Sequence, residues 1–194
     1  MSIWGWTHEP ELLWLGEQAA KMDSVVEIGS LHGRSAFALL SACPGSVYCV
    51  DSWSDIKDQS YGSFMSHCGH FPNLVPVRAF SPSPAIDLVQ GMVDMTFIDG
   101  SHVYSSVLAD IAGWLPKTRK LICGHDFHEG EGAGFPDVAV AVKEVFGDRW
   151  TVAPETSIWA VDLEADRSVA PHLLDTVLDY IDEYDRHTRV AVTW

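Results

Sequence analysis

Along the 194 residues, short apolar runs alternate with longer stretches in which apolar side chains recur every three or four positions. The first pattern suits strands buried on both faces, the second amphipathic helices. Residues 10–22 carry Leu12, Leu13, Leu15, Ala19 and Met22 on helical spacing, opened by Thr7 or His8 with a proline in the first turn. Strands are predicted over 24–28, 46–50, 74–79, 93–98 and 120–123, with a final pair over 150–153 and 157–162. Helices are predicted over 34–42, 84–90, 103–115 and 137–146, with a short one near 61–67 and a closing one carrying Leu173, Leu174, Val177, Leu178 and Ile181. This order predicts an α/β fold: one Rossmann-like, doubly wound, mainly parallel seven-stranded sheet, its last strand antiparallel, with helices on both faces. The length suits a single domain over 1–194. Its parts are an N-terminal helix and cap (1–22), a cofactor-binding core (23–162) and a C-terminal helix and tail (163–194).

In such a sheet ligands bind beyond the carboxyl ends of the strands, near the point where strand order reverses. Four predicted strands end in polar clusters that would share this edge: Glu27-Ile28-Gly29, Asp51-Ser52-Trp53, Asp99-Gly100-Ser101-His102 and Gly124-His125-Asp126. Gly29 and Gly33 allow a sharp turn and a close approach at a helix start, where free N–H groups attract anions. The first spacing is G-x-x-x-G, not the G-x-G of a dinucleotide fingerprint. Glu27, two residues before Gly29, would repel a pyrophosphate and would suit an ammonium group. Asp51, 22 residues after Gly29, can accept both hydroxyls of a ribose. A ribose with an amino-acid tail and no phosphates describes S-adenosylmethionine.

The ordered pieces V-E-I-G-S-x-x-G-R-S, V-D-S-W, F-I-D-G-S-H-x-Y-x-x-V-x-x-D-I, G-H-D-F, V-x-x-A-V-K-E-V-F and S-I-W-A-V resemble those of the class I S-adenosylmethionine-dependent methyltransferases. The resemblance runs from about Trp6 to Val161 and is to the small O-methyltransferases, the macrocin-type sugar enzymes and, more distantly, catechol O-methyltransferase. It implies that Glu27, Gly29 and Gly33 hold the methionine end of the cofactor, with Ser30, Ser35 and Asp99 also among its binding residues. It also implies that Asp51, Ser52 and Trp53 bind ribose and adenine, and that Phe80 and Ser81 lie near the adenine edge.

Methyl transfer needs an aligned acceptor and a route for its proton. His102, His125 and His128 all fall on the predicted ligand edge, and histidine suits proton transfer near neutral pH. In metal-dependent relatives the acids after the fourth and fifth strands bind a divalent cation; Asp99 and Asp126 occupy those places here. His125 stands beside Asp126 where those relatives carry an oxygen ligand, a departure that weighs against magnesium. Two mechanisms stay open on sequence. In one, Asp99 and Asp126, with His125 or His128, hold magnesium or another divalent cation. In the other, His102 or His125 is the general base, oriented by Asp99 or Asp126. Acceptor recognition is expected from Trp4-Gly5-Trp6 and the segments 54–72 and 129–136, the glycines at 130, 132 and 134 forming a lid.

Composition narrows the partners. Lys and Arg number 12 against 27 Asp and Glu, a net charge of −15, so the chain lacks the basic footprint of a nucleic-acid or anionic-membrane binder. A small-molecule acceptor is expected, and a homodimer is compatible with the closing helix. From 155 to 185 there are nine acidic residues and one basic, read as a solvated helix face. Cys43, Cys49, Cys68 and Cys123 show no C-x-x-C spacing, and His67-Cys68-Gly69-His70 lacks a second ligand pair for zinc. With no basic n-region or spanning apolar run, a cytoplasmic location is expected. A nicotinamide-dependent oxidoreductase, a metal-dependent hydrolase and a cofactor-binding protein without chemistry remain the competing readings.

Overall fold

Each predicted apolar run forms a strand in the computed structural model, which describes residues 3–54, 59–130 and 134–165. The elements in chain order are α1 (Glu9–Ala19), β1 (Ser24–Ile28), α2 (Arg34–Ala42), β2 (Ser46–Asp51), α3 (Gln59–Cys68) and β3 (Leu74–Arg78). They continue with α4 (Ala85–Leu88), β4 (Val93–Ile98), α5 (Tyr104–Trp114), β5 (Thr118–Gly124), α6 (Pro136–Phe146), β6 (Thr151–Val152) and β7 (Trp159–Asp162). The seven strands lie in the order β3-β2-β1-β4-β5-β7-β6. Strands β1 to β5 are parallel, and β7 runs antiparallel to both β5 and β6. The order reverses between β1 and β4, so the crevice that a doubly wound sheet offers to ligands opens above that pair.

Alternation along the strands divides the core in two. Val26, Ile28, Val50, Ile98 and Ile122 point to one face and pack against Val107, Leu108 and Ile111 of α5 and Val138, Val142 and Val145 of α6. Val25, Val47, Cys49, Met95, Phe97 and Cys123 point to the other, under Leu15 of α1, Leu39 and Leu40 of α2 and Phe64 of α3. Strand β4 is buried at all six positions because the sheet is covered on both faces. At the opposite edge from the crevice, buried Asp94 accepts the Asp23 N–H at 2.8 Å and pairs with Arg119 at 2.8 Å, tying β1, β4 and β5 together.

All four cysteines are free and buried, as small apolar side chains would be. Cys68 lies in the core and His67 Nδ1 contacts the His32 carbonyl at 2.9 Å, so the His67–His70 segment serves packing. Among the described residues no helix is long and apolar enough to cross a membrane. The predicted closing helix lies outside the described residues, as do most of the acidic stretch and the middle of the glycine-rich segment.

Candidate active site

The loops after β1, β2, β4 and β5 surround one cavity of about 1070 Å³. The segment preceding α1 closes one side of it. Gly29 must be glycine: its φ is +91°, and a Cβ there would stand 1.9 Å from the Asp99 carbonyl oxygen. This contact brings the β1 and β4 loops together over the crevice. Leu31, Trp53 and Asp126 also adopt the left-handed conformation, which is uncommon for residues with a side chain and concentrates at functional edges.

Asp51 lines the cavity at the end of β2. Its Oδ2 accepts the Leu31 N–H at 2.9 Å and its Oδ1 the Trp53 N–H at 2.8 Å. Each oxygen is thus oriented by one backbone donor and keeps a lone pair for a ligand. Ser30, Ser35, Ser52 and Ser81 lie on the wall with Gly29 and Asp51.

Glu27, Gly33 and Trp53 are not on the wall. Glu27 is fully buried beneath the glycine loop, where its Oε2 accepts the Ser30 hydroxyl at 2.5 Å and its Oε1 has no hydrogen-bond partner. Burial raises its pKa, opposed by the nearby Ser30 and Ser35 hydroxyls. The close approach that Gly33 permits is to α3: a Cβ on it would lie 2.6 Å from Cys68 Sγ. Trp53 is a core residue packed on Phe64, and its indole N–H donates to the Leu31 carbonyl at 2.8 Å. These three residues shape the loop from below, because strand alternation sends Glu27 inward and α3 covers the other two.

The reacting edge is a chain of alternating acids and imidazoles. His102 Nε2 lies 2.6 Å from Asp126 Oδ2, and His125 Nδ1 lies 3.1 Å from the same oxygen and 3.6 Å from Asp99 Oδ1. At the buried end, His125 Nε2 stands 2.9 Å from Glu11 Oε2, close but not aligned as a hydrogen bond. His128 approaches Asp126 Oδ1 at 3.6 Å. Burial would lower the His125 pKa, but Asp126 and Glu11 outweigh it and hold it up at about 10. Burial pushes Asp99 up to about 7, although the neighbouring His125 charge opposes the rise. For Asp126 the partnership with His102 and His125 overcomes burial and holds the carboxyl well below the usual range. His102 stacks on Phe135, with ring centres 4.0 Å apart and planes at 18°.

Asp99, His102, His125, Asp126 and His128 thus converge as their strand-end positions predict. Trp4, Gly5 and Trp6 reach the cavity too, held over the glycine loop by Arg34, which donates to the carbonyls of Thr7 at 2.6 Å and Ile3 at 2.7 Å. The described part of 54–72 does not line it, because α3 covers the sheet face instead. Three acids on the wall were not predicted: Glu11 on α1, Asp110 on α5 and Glu155 between β6 and β7. Glu11 has no local signal, since its place on helical spacing reads as an exposed first-turn acid. Asp110 stands on the apolar stripe of α5 between Val107 and Ile111, an irregularity that marks it.

Residues 26–127 match the family described as "Methyltransferase domain". A 133-residue stretch is 26% identical to the uncharacterized protein y4gI of Sinorhizobium fredii; it covers 61% of this chain but 14% of that protein's length. The fold is similar to that of the O-methyltransferase TomG of Streptomyces achromogenes, involved in tomaymycin synthesis and solved with S-adenosylmethionine. That match has a TM-score of 0.58 and 16% identity over 80% of each chain. It is also similar to an O-methyltransferase of Bacillus cereus solved with S-adenosylhomocysteine, at TM-score 0.59 and 15% identity, covering 80% of this chain and 81% of that one. A putative caffeoyl-CoA O-methyltransferase of Staphylococcus aureus gives TM-score 0.61 at 11% identity, covering 81% of this chain and 84% of the other. These neighbours carry the Rossmann-like methyltransferase fold that the strand order describes. Because the family match extends over more than half of the chain, from the first strand of the sheet through the Gly124-His125-Asp126-Phe127 edge, the chain belongs to the methyltransferase-domain family.

Proposed function

We propose that the chain is an S-adenosylmethionine-dependent methyltransferase that moves a methyl group to a hydroxyl of a small molecule. The observation that carries this reading is the shared cavity, with a ribose-type acid, Asp51, and a histidine–carboxylate pair, His102 and Asp126, on one wall. The residues present fit the cofactor. The volume accommodates a nucleoside with a small acceptor, Asp51 offers an oriented carboxylate, and Gly29 leaves the loop backbone bare. When bound, the cofactor supplies an electrophilic methyl group on a sulfonium.

The chain's own residues supply the rest. Asp51 accepts ribose hydroxyls, and Ser30 and Ser35 offer polar contacts beside it. Asp126 holds the proton of His102 on Nε2, so the lone pair is on Nδ1, which has no partner among the described residues. That nitrogen takes the acceptor's hydroxyl proton as the oxygen attacks, and Asp126 stabilises the imidazolium that forms. Phe135, stacked on the ring, fixes its plane.

A divalent cation fits this edge less well. Asp99, His125 and Asp126 do offer three donor atoms within 4.8 Å of one another. However, His125 has a carboxylate opposite each ring nitrogen, and only the doubly protonated ring satisfies both. A metal would need Nδ1 without its proton. His125 is therefore read as a fixed cation between Glu11, Asp99 and Asp126.

A small, uncharged acceptor is favoured because, among the described residues, Arg34 is the one Lys or Arg on the wall, and its nitrogens already contact two backbone carbonyls. The experiment is to incubate the protein with S-adenosylmethionine and a panel of phenols and glycosides, following S-adenosylhomocysteine release by mass spectrometry. Calorimetry with S-adenosylhomocysteine runs alongside. Absence of cofactor binding refutes the reading; turnover of thiols or amines but no hydroxyl refutes the O-specificity.

A further inference from the structure

The proposed mechanism leaves one buried acid unused. Asp110 is 3% exposed, yet it lines the cavity. Its Oδ1 accepts the Ser81 hydroxyl at 2.6 Å, and that hydroxyl oxygen accepts the Trp114 indole N–H at 2.9 Å. Ser81 is its one hydrogen-bond partner among the described residues, which leaves Oδ2 with none. That oxygen lies 3.7 Å from where a Cβ on Gly100 would stand, so it faces the bare backbone of the loop after β4. Burial pushes the carboxyl up to about 6, with Ser81 pulling the other way. A carboxyl held by one oxygen on Ser81, with the other oxygen open to the cavity, is set to accept a ligand donor.

The neighbours identify the donor. Asp51, the ribose-type acid, ends β2, and the Ala79 N–H donates to its carbonyl at 3.0 Å. The Phe80-Ser81 turn therefore begins directly beside Asp51, on the strand next outward in the sheet. Phe80 is 63% exposed and lines the cavity, presenting a ring to a planar group. A carboxylate oxygen in this setting accepts hydrogen bonds and rejects carbonyl groups.

We propose that Asp110 determines base specificity, its Oδ2 accepting a hydrogen bond from the exocyclic amino group of the cofactor's adenine while Ser81 and Trp114 hold the carboxyl in place. The assignment rests on the cofactor reading of the same cavity. A purine with a carbonyl at that position sets acceptor against acceptor and is discriminated against, as sites built for a hydrogen bond discriminate against partners that cannot make it.

The test is calorimetric titration of the full chain with S-adenosylhomocysteine and with its deaminated counterpart, S-inosylhomocysteine. The wild type should bind the adenine compound at least about tenfold more tightly, and Asp110→Asn should weaken it by about tenfold to a hundredfold. Because the asparagine amide can turn its NH2 toward a carbonyl, the variant should also narrow or reverse the preference. Ser81→Ala should weaken adenine binding while leaving the direction of preference unchanged. Equal binding of both compounds by the wild type, or an Asp110→Asn protein that keeps the full preference, overturns this assignment and leaves the cofactor reading standing. A wild type that binds neither compound overturns both. Should the asparagine variant show no unfolding transition, the wild-type comparison still decides.

Discussion

Replacing Glu11 by glutamine tests the charge chain at its buried end. The Glu11 carboxylate is 3% exposed and accepts the His8 N–H at 2.7 Å and the Ser157 N–H and hydroxyl at 3.1 and 2.9 Å, beside His125 at 2.9 Å. Burial would raise its pKa, but His125, His8 and Ser157 together bring it from 4.5 down to about 2. That drop corresponds to about 3 kcal/mol of folding free energy. A depressed acid stabilises fully above its unfolded value, so this contribution is complete above about pH 4.5 and is lost as pH falls toward 2. His125, raised from 6.5 to about 10, contributes fully below 6.5 and loses its share as pH climbs toward 10. The Glu11–His125 contact enters both shifts, so the two are not additive. Glu11→Gln keeps the shape and removes the charge. Between about pH 4.5 and 6.5 the variant should be less stable by about 3 kcal/mol, lowering Tm by about 6–12 °C in a domain of this size. Its deficit should shrink toward pH 2.5. Urea unfolding at pH 2.5, 5.5 and 8.5 measures this. Equal stability of the two proteins at pH 5.5, or a deficit independent of pH, refutes the reasoning.

His102→Gln should lower kcat by about a hundredfold to ten-thousandfold, the usual worth of a general base, while S-adenosylhomocysteine binding by calorimetry stays within about twofold. Asp51→Ala removes the acceptor of the Leu31 and Trp53 N–H groups as well as the ribose ligand, so cofactor affinity should fall by about a hundredfold or more, read by the same titration. Gly29→Ala places a methyl 1.9 Å from the Asp99 carbonyl at a φ of +91°. It should cost more than about 2 kcal/mol in urea unfolding and abolish cofactor binding. A chelator should leave turnover unchanged, and its restoration by added divalent cation after such treatment would reverse the assignment of His125.

Much of the sheet was legible because a doubly covered strand leaves an unmistakable trace. The run Val93–Ile98 is buried throughout and apolar at all but Asp94 and Thr96, and the helices between strands carry their own 3.6-residue stripes. The edge was legible as well, since parallel strands place every carboxyl end together, so Asp51, Asp99, His102, His125 and Asp126 could be grouped without knowing any contact. Glu27 lies off the wall for a reason of the same kind: its position at the strand end is local, but its direction is set by the pleat and by what covers the sheet. The pairing of Glu11 with His125 had no trace at all, because the two are joined only where α1 returns to the edge of β5.

From sequence alone came the alternation of elements, the doubly wound parallel sheet, the glycine turn after β1 and the set of acids and histidines at one edge. Each follows from short-range periodicity and from the shared direction of parallel strands. Only tertiary structure decided which of those side chains face the cavity, that two carboxylates bracket His125, that Asp126 holds His102, and that Asp110 keeps one oxygen bare toward the crevice. Hydrogen bonding and burial are properties of pairs brought together across the fold. A linear pattern carries no record of such pairs.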